Sequence, residues 1–181
     1  LLVHSAEQVY AEAWMNVIHG AKVILWFPYF DPTSIRWEAM KKFTDQMNVL
    51  APIVLGPEPE LTVMDDANTA LNRVDTMIRE KDGTIYIFAA RVTEPDPIVN
   101  AKYQGIEPEY VTANFTVSGL TGDVVAELVD EVRQISVSNG QFTDTFGRNA
   151  VHIYKISMAS ATPVTPVTPT PRVKISKARV K

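Results

Sequence analysis

Val111-Thr-Ala-Asn-Phe-Thr-Val117 alternates apolar and polar residues without a break. A period of two places Val111, Ala113, Phe115 and Val117 on one face and Thr112, Asn114 and Thr116 on the other. That is the pattern of a half-buried antiparallel strand. The same rhythm governs much of 61–156. Lys81-Asp82-Gly83 separates Val74–Glu80 from Thr84–Val92, and Asp-Gly favours a tight hairpin. Asn139-Gly140 marks another such turn. Further strands are expected at 61–65, 123–129, 132–138 and 150–156. Short strands at this spacing predict an all-β antiparallel sandwich over 56–157.

Upstream the period changes. Val9, Ala13 and Val17, flanked by Tyr10, Trp14 and Ile18, recur at helical spacing. Ser5 with Gln8 forms a capping-box pattern, and Gly20 suits a helix stop. Lys22-Val-Ile-Leu-Trp-Phe27 follows as a continuous apolar run, which a parallel strand covered on both faces requires. A second helix is expected from Asp31-Pro32-Thr33, carrying Met40, Phe43, Met47 and Leu50 inward. The proline-rich stretch APIVLGPEPE, 51–60, then separates the two regimes.

Composition narrows the function classes. With 46% hydrophobic and 21% charged residues the chain can build a core. It has no cysteine, which excludes a disulfide scaffold and thiol catalysis. No apolar stretch reaches the roughly 20 residues of a membrane span. All basic residues after Ser157 lie at Arg172, Lys174, Lys177, Arg179 and Lys181, leaving 12 Lys and Arg against 21 Asp and Glu over 1–156. A body that acidic is a poor partner for nucleic acid. Ala161–Pro171, ATPVTPVTPTP, favours extended polyproline II and is expected to be a disordered linker leading to a further module. The chain starts at Leu1 without a recognisable signal peptide, and it reads as an internal piece of something longer.

Catalytic constellations are sparse. His4, His19 and His152 are scattered without metal-ligand spacing, and no phosphate loop or nucleophile elbow is present. No metal, cofactor or catalytic residue is assigned. Asp65-Asp66 and Glu94-Pro-Asp96 read as turn residues, and Asn114-Phe-Thr116 as a chance glycosylation match within a strand. Trp26 and Tyr29 are the candidate substrate-binding residues. They stand at the end of the expected strand and in the aromatic loop after it, where a flat ring can stack on a sugar. On periodicity alone, Trp26 fits core packing better. Trp14 and Trp37 are read as packing residues.

Two stretches carry a family resemblance. Ser5–Phe27, with His19-Gly-Ala-Lys-Val-Ile-Leu-Trp26 at its end, resembles the seventh helix and eighth strand of (β/α)8 glycoside hydrolases. Residues 34–50 are similar to the eighth helix. Val23 stands where that family commonly has glycine. Gly140–Tyr154, with Phe142, Asp144, Phe146, Val151, His152 and Tyr154 in a fixed spacing, is similar to the closing strands of the β-sandwich that follows such barrels. The resemblance implies a parent enzyme working with two carboxylates upstream of Leu1. Glu7 and Glu12, on a helix behind the barrel wall, are not among them.

The expected fold is therefore mixed: an incomplete (β/α)8-barrel end, helix-strand-helix, over 1–55, an antiparallel sandwich over 56–157, and a Thr/Pro tail over 158–181. Residues 1–50, detached from a barrel, are expected either to pack poorly or to dock imperfectly against the sandwich. The implied function is that of the C-terminal fragment of a secreted glycoside hydrolase, inactive alone, whose parent binds a carbohydrate substrate. The alternative is a non-catalytic carbohydrate-binding or adhesion sandwich of an extracellular protein. It explains 61–156 but not 22–27.

Overall fold

The computed structural model describes residues 5–26, 35–67, 73–92 and 109–158. The Thr/Pro linker, Tyr29 and its aromatic loop, the expected start of the second helix, and Glu94-Pro-Asp96 lie outside them.

Among the described residues two helices precede eight strands. Helix α1, Ala6–Ile18, begins where the Ser5 hydroxyl accepts from the Gln8 backbone N–H at 3.1 Å. It ends at Gly20, whose φ of +92° carries the chain out of the helix. Helix α2, Ile35–Val54, runs four residues past the expected Leu50. Pro52 sits in its last turn and withholds one N–H from the helix ladder, and Leu55 N–H closes that turn onto the Ala51 carbonyl.

The strands are β1 (Thr62–Asp65), β2 (Asp75–Lys81), β3 (Thr84–Ala90), β4 (Val111–Ser118), β5 (Asp123–Leu128), β6 (Gln134–Ser138), β7 (Gln141–Phe146) and β8 (Val151–Ser157). They form one antiparallel sheet in the order β1-β4-β7-β6-β5-β8-β3-β2. Asp82 and Gly83, both at positive φ, make the β2–β3 turn. Asn139 and Gly140 make the β6–β7 turn, and a Cβ on Gly140 would meet the Val117 carbonyl oxygen at 2.4 Å. Strands β6 and β7 pair only at Ser138 and Gln141, beside that turn, so the sheet folds over on itself there. Its two edge strands, β1 and β2, then come near each other.

The expected fold is corrected at two points. The antiparallel region is a single, nearly closed eight-stranded sheet rather than a sandwich of two separate sheets. No barrel-end strand forms at 22–26. Ile24 and Trp26 rest on the helices, but Val23 and Leu25 are 72% and 80% exposed, so the run is covered on one side only. The strand buried on both faces is β3, Thr84-Ile-Tyr-Ile-Phe-Ala-Ala90. Ile85, Ile87 and Ala89 point into the sheet interior, against Phe115, Val117 and Tyr154. Phe88 and Ala90 point outward, against Trp14, Phe43 and Leu50 of the helices.

The helix pair is firmly seated, against the expectation of poor packing. Trp14 is fully buried and stacks on Phe88 with ring centroids 5.4 Å apart. Gln46 supplies the polar anchor: its Oε1 accepts from Tyr10 Oη at 2.6 Å and Trp14 Nε1 at 3.0 Å, and its Nε2 donates to Asp130 Oδ2 at 2.6 Å. One amide thus ties both helices to the turn after β5.

Candidate functional site

Trp26 is half-buried and meets Phe43 of α2 edge-on, with centroids 6.3 Å apart. It belongs to the helix–sheet packing rather than to a strand end, and Tyr29 lies outside the described residues. Trp37 is 45% exposed on α2 rather than packed. Glu7 and Glu12 sit on α1. Backbone and Ser5 hydrogen bonds hold the Glu7 carboxyl below its ordinary pKa, and Glu12 accepts from Gln8. Asp65 is the last residue of β1 and only Asp66 follows it in a bend: Asp65 accepts from Ala67 N–H, and Asp66 accepts from both the backbone and the side chain of Asn114. Burial raises the Asp65 pKa, whereas the Asn114 contacts lower that of Asp66.

The densest polar chemistry is inside the sheet. Asp144 occupies an inward position of β7, between Phe142 and Phe146, and is buried. Its Oδ1 accepts from Arg133 at 2.6 Å and from the Thr145 backbone N–H at 2.8 Å. Its Oδ2 accepts from Tyr154 Oη at 2.7 Å and lies 2.8 Å from His152 Nδ1. Burial by itself would raise the carboxyl pKa. Hydrogen bonds from His152, Arg133 and Tyr154 outweigh it and hold the group far below the usual carboxylate range. Burial and the Asp144 charge push the Tyr154 hydroxyl strongly upward. The hydrogen bond to Asp144 raises Arg133 further.

Such a carboxylate has little left to offer a substrate. An ionised Asp has about four acceptor positions, and four donors fill these. The arrangement therefore joins β7 to β8 through the interior; it does not attack or abstract. His152 is the member nearest an opening. It stacks on Phe146 at 4.4 Å and lines a cavity of about 550 Å³ beneath the N-terminal ends of both helices. Glu7, Tyr10, Glu38, Lys42, Glu131 and Asn149 complete its polar wall. Lys42 lies over the Tyr10 ring at 4.3 Å, and Glu131 pairs with Arg133 at 3.0 Å. The wall is of mixed charge, with the carboxylates of Glu7, Glu38 and Glu131 beside the Lys42 ammonium.

No family model matches, and no curated protein matches. Among solved structures, a noncanonic maltogenic alpha-amylase, AmyB from Thermotoga neapolitana, superposes with a TM-score of 0.51 at 11% identity. The likeness is one of fold. It covers 84% of this chain and 37% of the amylase chain, so the chain spans well under half the length of that neighbour.

Sequence reasoning quoted Asp144, His152 and Tyr154 within one phrase and assigned them no role. The available signal was the polar residue itself. In Phe142-Thr-Asp-Thr-Phe146 an aspartate takes an inward place in an alternating strand, and a buried carboxylate demands partners. Among the described residues no cluster of three or more His, Asp or Glu suits a metal ion. No described helix is long and apolar enough to cross a membrane.

Proposed function

We propose that this chain is a non-catalytic module of a glycoside hydrolase-related enzyme acting on a poly- or oligosaccharide outside the cell. It supports the catalytic body and holds no complete active site. The observation that carries this reading is the segment 23–26. Ile24 and Trp26 pack on the helices while Val23 and Leu25 stay 72% and 80% exposed, an apolar side without a cover. In a longer protein that side rests against further structure. The fold shared with part of an alpha-amylase chain supports the enzyme class.

Two measurements test it. The purified chain is expected to leave aryl glycosides and soluble starch intact; sustained turnover overturns the supporting role. Hydrogen exchange at 23–26 is expected to be fast in this chain and slowed in the longer protein. Equal exchange in both would remove the docking surface.

A further inference from the structure

The outward face of β4 and β7 is built of hydroxyls and amides. Strand β4 turns Thr112, Asn114 and Thr116 outward, and β7 turns Gln141, Thr143 and Thr145. None is charged, in a chain where 21% of residues are. Strand β5 by contrast exposes Asp123 and Glu127, while β6 exposes Gln134, Ser136 and Ser138. The hydroxyls and amides are held in place by one another. Asn114 Nδ2 donates to Asp66 at 2.7 Å, and Asn114 Oδ1 accepts from Thr143 at 2.7 Å. Asn114, Thr116, Gln141 and Thr143 line a concavity of about 520 Å³, closed at one side by Ser138 and Asn139.

An aromatic ring completes this face. Tyr110, directly before β4, is 64% exposed. Its neighbour across the strands is Gly147, where an added Cβ would sit 3.8 Å from Tyr110 Cε1. The ring lies beside a residue with no side chain to stand over it. At the strand rise, Tyr110 to Thr116 spans about 20 Å, enough for several sugar rings in a row.

We propose that this face binds a neutral glycan chain, with Tyr110 stacking on one sugar and the Asn114–Thr143 array bonding the hydroxyls of others. The chemistry selects that occupant. Polyanions find no complementary charge there and an acidic body around it, the Asp66 carboxylate at the margin is already bonded by Asn114, and a protein interface would place apolar groups at its centre. Stacking on an aromatic face and bonding to ordered hydroxyls and amides suit an uncharged polyol. The inference adds a binding activity to the supporting role and takes only the carbohydrate context from it.

Affinity electrophoresis of the whole chain tests this, in gels carrying soluble starch, hydroxyethylcellulose, xylan or galactomannan, with polygalacturonate as the anionic control. Retardation is expected in at least one neutral gel and not in the control. Tyr110→Ala is expected to weaken the apparent Kd roughly tenfold, and Tyr110→Phe by no more than about twofold. A tyrosine that merely shields the sheet beside Gly147 would alter the melting midpoint and leave retardation alone. Thr143→Val, which keeps the strand shape and removes the hydroxyl, is expected to weaken binding roughly fivefold. No retardation in any neutral gel, retardation unchanged by Tyr110→Ala and Thr143→Val, or stronger retardation by polygalacturonate overturns the proposal. The double variant V23S/L25S is expected to bind as well as the parent chain, so failure of the docking surface and failure of the glycan face are separable.

Discussion

At Asp144 a single carboxylate holds together side chains from two strands that do not pair. Strands β7 and β8 are separated in the sheet by β6 and β5, and the closed sheet brings them face to face. Removing the charge leaves Tyr154, His152 and Arg133 pointing at a weaker acceptor in a dry interior. Asp144→Asn is expected to cost about 3 kcal/mol, at the low end for a broken buried pair because Arg133 is 37% exposed. Urea unfolding checks it through a lower midpoint at unchanged slope. The pH dependence has a definite sign. The folded-state pKa lies below the unfolded value, so between the two the unfolded chain binds more protons and stability falls with falling pH. The Asp144 contribution is complete at neutrality, begins to erode near pH 4, and continues to be lost below that. Asp65, raised by burial, works weakly the other way. Flattening of the acid limb in Asp144→Asn would confirm the assignment; an unchanged limb would refute it.

Among the elements, β3 explains why the helices are bound to the sheet. Its inward residues complete the sheet interior and its outward Phe88 and Ala90 complete the helix core. Apolar contact alone would let the helix pair slide, and Gln46 prevents that by directional bonds to Tyr10, Trp14 and Asp130. Gln46→Leu keeps the volume and leaves the buried Trp14 N–H without an acceptor. The expected cost is about 2 kcal/mol, together with faster hydrogen exchange in α1 than in β4. Exchange that accelerates equally in both would show that Gln46 holds no particular element. The helices and hairpin turns were legible in the residues, because Val9-Ala13-Val17, Asp82-Gly83 and Asn139-Gly140 express local geometry. Strand β7 received no bounds of its own, since its inward aspartate interrupts the apolar count, although the Asn139-Gly140 turn and the resemblance of Gly140–Tyr154 to closing strands both pointed to a strand there. The run at 22–27 was misread because continuous apolarity states a need for cover and does not say what supplies it.

For the whole molecule, shared strands predict shared stability. All three tryptophans, Trp14, Trp26 and Trp37, lie on the helical side, so their fluorescence reports that side, whereas far-ultraviolet circular dichroism also reports the sheet. Because β3 and β8 serve both cores, the two signals are expected to melt together. A tryptophan transition at lower temperature would mark the helices as a separate unit. Acidic composition and the absence of cysteine set limits on chemistry that need no coordinates. So did the alternation of 111–117, which dictates a strand with one wet face wherever that strand is placed. Closure of the sheet, the meeting of Asp144 with Tyr154, and the bare side of Val23 and Leu25 depended on which distant segments became neighbours. Local periodicity records what each residue prefers within a few bonds; pairing between strands far apart in the chain is chosen by the core as a whole.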